Sequence, residues 1–177
     1  MRRVSVIGTS SGAGKTTLGR KLADRLGVSF IELDALFWQP GWQKAPIELF
    51  RRRVAEHARG DGWVIDGNYT GRLGDLVWQR ADTVVWLDLP LRVSLWRTFR
   101  RALEGLRSGE ELWPGTGNRQ TVRNLFFERD SVLYYAIRSH RRRRRLFEDR
   151  LRSGNYGDLA IHRFRSSADA EGWLASI

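Results

Sequence analysis

Cysteine is absent from this 177-residue chain. Its absence excludes a disulfide framework, a thiolate metal site and a cysteine nucleophile. The three histidines, His57, His140 and His162, are scattered without metal-ligand spacing. Lysine is scarce as well: Lys15, Lys21 and Lys44 are the whole set, so the positive charge is almost entirely arginine. That substitution fits a genomic base composition as well as a function, so no single arginine is functional on that ground. No apolar run approaches the length of a membrane span. The N-terminal apolar stretch is too short for a signal-peptide core. One soluble cytoplasmic domain spanning 1–177 is the expectation. Acidic residues fall well short of basic ones, and the net charge of +11 favours nucleotides, phosphorylated substrates or nucleic acid as partners.

Against these absences stands one dense segment, Val4 to Thr17, VSVIGTSSGAGKTT. A short apolar run reads as a strand. A Gly/Ser/Thr turn follows, then Gly14-Lys15-Thr16-Thr17, then a helix with Leu18, Leu22 and Leu26 on one face and Gly27 as its stop. This is the strand–loop–helix of a nucleoside-triphosphate phosphate loop. Small residues at Ser11, Gly12, Ala13 and Gly14 let backbone N–H groups face phosphate oxygens, and the helix dipole adds to them. Lys15 is placed for the β- and γ-phosphates, Thr16 for Mg²⁺, and Thr17 completes the turn. ATP fits this loop, and GTP fits it equally. One position departs from the pattern: the first glycine is expected at Thr9, and Gly8 sits one residue early.

Strand and helix alternate along the rest of the chain. Strands are expected at 2–8, 28–34, 63–66, 83–88 and 159–164. Helices are expected at 15–26, from Pro46 with Ile47, Phe50, Val54 and Ala58 at helical spacing, at about 91–107, from near Thr121, and at the C-terminus around Trp173 and Leu174. The 91–107 helix carries Leu95, Phe99, Leu103 and Leu106 as its core stripe; the next one turns Leu125, Phe126, Leu133, Ala136 and Ile137 inward. Alternation of this kind predicts an α/β fold, a parallel sheet with helices on both faces. The Gly/Pro-rich stretch 108–118 interrupts it and reads as a mobile flap, a lid of about 104–124 with its flanks.

Ligands of open α/β sheets bind beyond the carboxyl ends of the strands. Those ends hold Glu32-Leu33-Asp34, Asp66-Gly67-Asn68-Tyr69 and Asp88. Carboxylates beside a phosphate loop need cations to balance them, which Mg²⁺ and basic side chains supply. Asp34 and Asp66 therefore read as functional, Asp88 as structural. After Asp34 come Phe37, Trp38 and Trp42, which fit either a ring-stacking pocket or a helix packed on the core. Arg97 and Arg101 lie opposite the apolar stripe of their helix, suited to charge that develops on a transferring phosphoryl group. Arg119 and Arg123, beyond the flap, are candidates to close over the same phosphates. The run Arg141–Arg145 covers every face of a helix and reads as a solvated or frayed end, with nucleic-acid binding as the sharper alternative.

Together these motifs resemble the adenylate-kinase-like P-loop kinases, three-layer sandwiches of the P-loop NTPase type. They are most similar to a small group labelled topology modulation protein. The likeness rests on Asp34–Trp42, on Trp63–Tyr69, on Ala81-Asp82, and on Glu111–Trp113 with Gly117–Arg119. It implies a five-stranded parallel sheet in the order 2-3-1-4-5 with a short lid. It implies that Asp66 orients magnesium-bound water, that Arg97 and Arg101 touch the transferring phosphate, and that Arg72 holds an acceptor phosphate. Arg165, with Ser166 and Ser167, falls where an adenine-contacting loop is expected. Asp34, Phe37, Trp38, Trp42, Asn68, Tyr69 and Arg72 are then the acceptor side. An aspartate after strand two is also similar to small-hydroxyl kinases such as shikimate kinases, where it holds or activates the acceptor. Two functions follow as expectations. One is ATP- and Mg²⁺-dependent transfer to a nucleotide, nucleoside or hydroxylated metabolite. The other is a nucleotide-dependent ATPase or switch acting on nucleic acid.

Overall fold

The computed structural model describes residues 1–119, 121, 132–153, 156 and 158–177. Its sheet strands are β1 (Arg3–Gly8), β2 (Ser29–Glu32), β5 (Trp63–Asp66), β6 (Thr83–Leu87) and β7 (Ala160–Phe164). They lie in the order β2-β5-β1-β6-β7, and every pairing is parallel. Counted as sheet strands alone, that is the expected 2-3-1-4-5.

Alternation along the strands builds two cores. Val4 and Val6 of β1, Val64 of β5, and Val85 and Leu87 of β6 pack with Leu18, Leu22 and Leu174. These last three come from α1 (Lys15–Leu26) and α7 (Ser167–Ser176). Ile7, Trp63, Ile65, Val84 and Trp86 face the other way, onto Phe50, Val54, Trp78 and Phe147. Phe50 and Val54 belong to α3 (Ile47–His57), and Phe147 to α6 (Val132–Arg152). Trp63 and Trp86 are wholly buried, and truncating either to alanine should cost about 3–5 kcal/mol.

Four local expectations need correction. First, the second strand stops at Glu32, and Asp34 lies in the first turn of a short helix, α2 (Leu33–Phe37). Second, the aromatic segment after it is a small hairpin: β3 (Trp38–Gln39) pairs antiparallel with β4 (Gln43–Lys44) around Pro40–Trp42. Third, the buried line of α5 (Leu91–Ser108) is Ser94, Thr98 and Ala102, one residue off the predicted Leu95/Phe99/Leu103 stripe. Fourth, Ile137 is exposed, and Arg141–Arg145 sits mid-helix rather than at a frayed end. Arg123, Leu125 and Phe126 lie outside the described residues, as do the side chains of Leu133 and Ala136.

Candidate active site

The phosphate loop is held by close backbone approaches. Gly12, at φ 74°, runs against α5, where an added Cβ would meet the Ser94 carbonyl and the Thr98 hydroxyl at 2.3 Å. The small buried line of α5 exists to admit that loop. A Cβ at Gly8 would fall 2.9 Å from Ala13 and 3.0 Å from the Lys15 stem, so Gly8 takes the first-glycine place. Thr9, in the position where glycine was expected, extends the strand: its N–H donates to the Leu87 carbonyl at 3.1 Å. Its buried hydroxyl accepts from the Trp86 indole and donates to Asp88 at 2.7 Å. Gly14, also left-handed at φ 91°, precedes α1, whose first turn has no side-chain cap. Those N–H groups are left for an anion.

Lys15, Thr16 and Asp66 meet at the mouth of this loop. The Thr16 hydroxyl donates to Asp66 Oδ2 at 2.6 Å, and Lys15 Nζ stands 3.9 Å from Oδ1. Asp66 Oδ1 is buried and accepts no hydrogen bond. Burial pushes the Asp66 carboxyl up from its ordinary value, against the Lys15 charge and the Thr16 hydrogen bond; Asp34 adds to the rise and Arg101 opposes it. A buried carboxylate oxygen without a donor, beside a hydroxyl, fits a hard divalent cation. No group of three acidic or histidine side chains able to hold a metal occurs among the described residues.

The neighbouring strand end completes an acidic layer. Glu32 pairs in register with Asp66. Burial raises the Glu32 carboxyl; the Trp113 indole, which donates to it at 3.2 Å, opposes that, and Asp66 and Asp34 reinforce it. Asp34 accepts a short hydrogen bond from the Tyr69 hydroxyl, 2.5 Å. Arg97 is exposed beside the loop, its Nη1 3.4 Å from where a Gly14 Cβ would lie. Arg101, one turn on, is exposed on the same side.

Several candidates take other places. Phe37 is core, with rings of Phe50 and Tyr69 at 5.2 and 4.9 Å and the Arg72 guanidinium over its face. Trp38 and Trp42 are half-buried in the hairpin, in edge contact at 5.6 Å. Asn68 clamps the loop strand, its amide accepting from Gly8 N–H at 3.0 Å and donating to Gly8 O at 2.6 Å. Arg119 sits at the foot of the 109–119 loop, its backbone paired antiparallel with that of Glu111 in a lone β-bridge. Arg165 is exposed just past β7. Asp88 is buried under Thr9, Arg163 at 2.6 Å and Arg144 at 3.1 Å, which suits a structural anchor. Glu32, Trp113 and Asn118 were not singled out as site residues from the sequence. Glu32 carried a signal in its place at a strand end, and Trp113 and Asn118 lay inside the Glu111–Trp113 and Gly117–Arg119 stretches of the family likeness, without a role assigned to either.

Fold and site together define a P-loop kinase, a phosphoryl-transfer enzyme for a small-molecule acceptor. The shikimate kinase family pattern matches residues 11–59. A shikimate kinase of Parabacteroides distasonis is 31% identical over 156 residues, 77% of this chain and 88% of that protein. The chain belongs to the shikimate kinase family. A cytidylate kinase of Pyrococcus horikoshii is 31% identical over 121 residues, 62% of each chain. The fold is that of a shikimate kinase from Acinetobacter baumannii, solved with shikimate, at a TM-score of 0.59 and 20% identity over 99% of this chain and 90% of that one.

Proposed function

We propose that this kinase transfers the γ-phosphoryl group of Mg·ATP, in the cytoplasm, to a hydroxyl of a small hydroxylated acceptor bound beside Asp34. The observation that carries the proposal is the pairing of two carboxylates in unlike settings. Asp66 is buried with Thr16 and Lys15, while Asp34 is partly exposed on α2 and hydrogen-bonded to Tyr69. Bound Mg²⁺ supplies charge neutralisation at the β- and γ-phosphates. Thr16 and Asp66 would hold it. Lys15 balances phosphate charge from the loop side. Asp34 accepts the hydrogen bond of the acceptor hydroxyl, orients it and takes up its proton as the new O–P bond forms and the bond from the γ-phosphorus to the departing ADP breaks. Arg97 and Arg101, with Arg119 from a lid that includes the 109–119 loop, offset the charge on the transferring group. Thr17 and the loop residues Ser11, Gly12, Ala13 and Gly14 cradle the phosphates, and Arg165 borders the base. Trp38, Trp42, Tyr69 and Arg72 border the acceptor.

The likeness to shikimate kinases makes shikimate the first acceptor to try. Cytidine monophosphate follows from the cytidylate kinase relative. ADP release from Mg·ATP, with each acceptor in turn and Lys15→Ala as the blank, tests the reading. Release that requires the acceptor, and that falls by about 10³-fold or more in Lys15→Ala, is the expected result. Equal release with and without every acceptor would overturn it.

A second reading, an ATPase acting on nucleic acid, draws on two features. Arg138, Arg141, Arg142 and Arg145 line one exposed face of α6. The likeness of Asp34–Trp42 and Trp63–Tyr69 to topology modulation proteins points the same way. DNA-stimulated hydrolysis with a steep salt dependence would favour it.

A further inference from the structure

The 109–119 loop is joined to the β3–β4 hairpin by an unusual bond pattern. Asn118 is 1% exposed. Its Oδ1 accepts from the Trp42 N–H at 2.9 Å, and its Nδ2 donates to the Gln39 carbonyl at 3.0 Å. One amide thus satisfies a backbone donor and a backbone acceptor on either side of Pro40-Gly41. The carboxamide carries its acceptor and its donor on two separate atoms, so one side chain reaches both backbone groups at once; glutamine would add a methylene in this buried seat. Trp42 itself sits at φ 60°, the one described non-glycine residue in the left-handed region. A bulky residue there costs free energy of order 1–3 kcal/mol and persists only when its surroundings fix it. The bond from Asn118 holds its backbone N–H, and the Trp38 ring flanks its side chain. A second tie lies alongside: Trp113 packs its ring edge-on to Trp42 at 5.8 Å and donates its indole N–H to Glu32, the register partner of Asp66.

We infer that Asn118 is a positioning residue that makes closure of the lid and formation of the acceptor-side hairpin a single event, with Trp113 tying the same event to the acidic layer. The inference rests on reading the Asp34–Lys44 segment as the acceptor side. Opening the loop strips Trp42 of the bond that holds its strained backbone, so the hairpin relaxes with it. Conversely, whatever orders the hairpin seats the lid, because coupling between the two is reciprocal. An enzyme built this way excludes water only when its acceptor side is formed.

Hydrogen exchange on the full chain tests this without any acceptor, alone and with Mg·ATP. In Asn118→Ala, exchange of the Trp42 amide and of residues 38–44 rises about tenfold or more together with that of 109–119, while α1 and the central strands keep wild-type rates. Asn118→Asp, which retains the acceptor for the Trp42 N–H, restores Trp42 to within about threefold of wild type. Trp113→Phe keeps the ring, loses the indole donor, and raises exchange in both segments. It decides the matter if Asn118→Ala does not fold. Faster exchange confined to 109–119, with 38–44 unchanged, would overturn the inference. Because the readout uses no acceptor, its failure is separate from failure of the ADP-release test.

Discussion

Asp66 serves binding at the expense of folding. Its carboxyl is buried, and burial raises its pKa in the folded chain. A carboxyl raised in this way contributes stability that is complete below its unfolded pKa and lost as pH rises through the folded one. Ionisation of this group is therefore a cost in the nucleotide-free protein. Asp66→Asn should raise the melting temperature of the free protein at pH 7 by about 2–4 °C, and flatten its rise as pH falls from neutral toward the ordinary carboxylate range. The same variant should lose most of the stabilisation that wild type gains from Mg·ATP. Thermal melts across that range, with and without Mg·ATP, check this. Asp88 is the opposite case. Its side chain is 1% exposed and paired with Arg163 and Arg144, which are themselves 26% and 41% exposed. Asp88→Ala should destabilise by about 2–3 kcal/mol in urea unfolding, less than a fully buried pair because solvent screens the arginines left behind. The positions of Lys15 and Asp66 were legible in the sequence because a loop motif or a strand end fixes them locally, whereas Asp34, expected at a strand end, lies in the first turn of α2. Asn118 was not legible, because its partners lie 76 and 79 residues away and an isolated asparagine in a glycine-rich loop looks like turn chemistry.

At the scale of elements, hydrophobic periodicity found α5 and mistook its inner line. Counting apolar residues selects Leu95, Phe99 and Leu103. The buried line is Ser94, Thr98 and Ala102, because the phosphate loop must approach the helix backbone closely and large side chains would keep it away. Gly12→Ala should then displace the loop and weaken Mg·ATP binding by about 100-fold or more in calorimetric titration, since its Cβ has neither the space nor the backbone angle. Gly27→Ala is the control. It too has positive φ, 63°, but nothing lies within 4 Å of an added Cβ, so nucleotide affinity should stay within about twofold while stability falls by about 1 kcal/mol. The β3–β4 hairpin was illegible for a related reason. Each of its strands is two residues long, too short for alternation to register.

Across the whole molecule, two groups of exposed arginines lie on different elements. Arg97 and Arg101 stand beside the acidic layer at the carboxyl edge of the sheet. Arg138, Arg141, Arg142 and Arg145 form a separate exposed face on α6, while Arg144 of the same run turns inward to Asp88. Replacing those four outward arginines by alanine should leave acceptor-dependent ADP release within about twofold of wild type, because they touch none of the catalytic groups. Strand order and layering were readable from the alternation of strand and helix together with the phosphate-loop likeness. The seat of the 109–119 loop depends on contacts between distant segments and was not. In the proposed reaction, phosphoryl groups go to an acceptor hydroxyl positioned by Asp34. ³¹P magnetic resonance of Mg·ATP with shikimate, wild type against Asp34→Asn, tests it most directly. A growing phosphomonoester signal is expected in wild type, slowed about 10²-fold or more in the variant, with ATP binding retained. Inorganic phosphate as the sole product, formed at equal rates by both proteins, would contradict it.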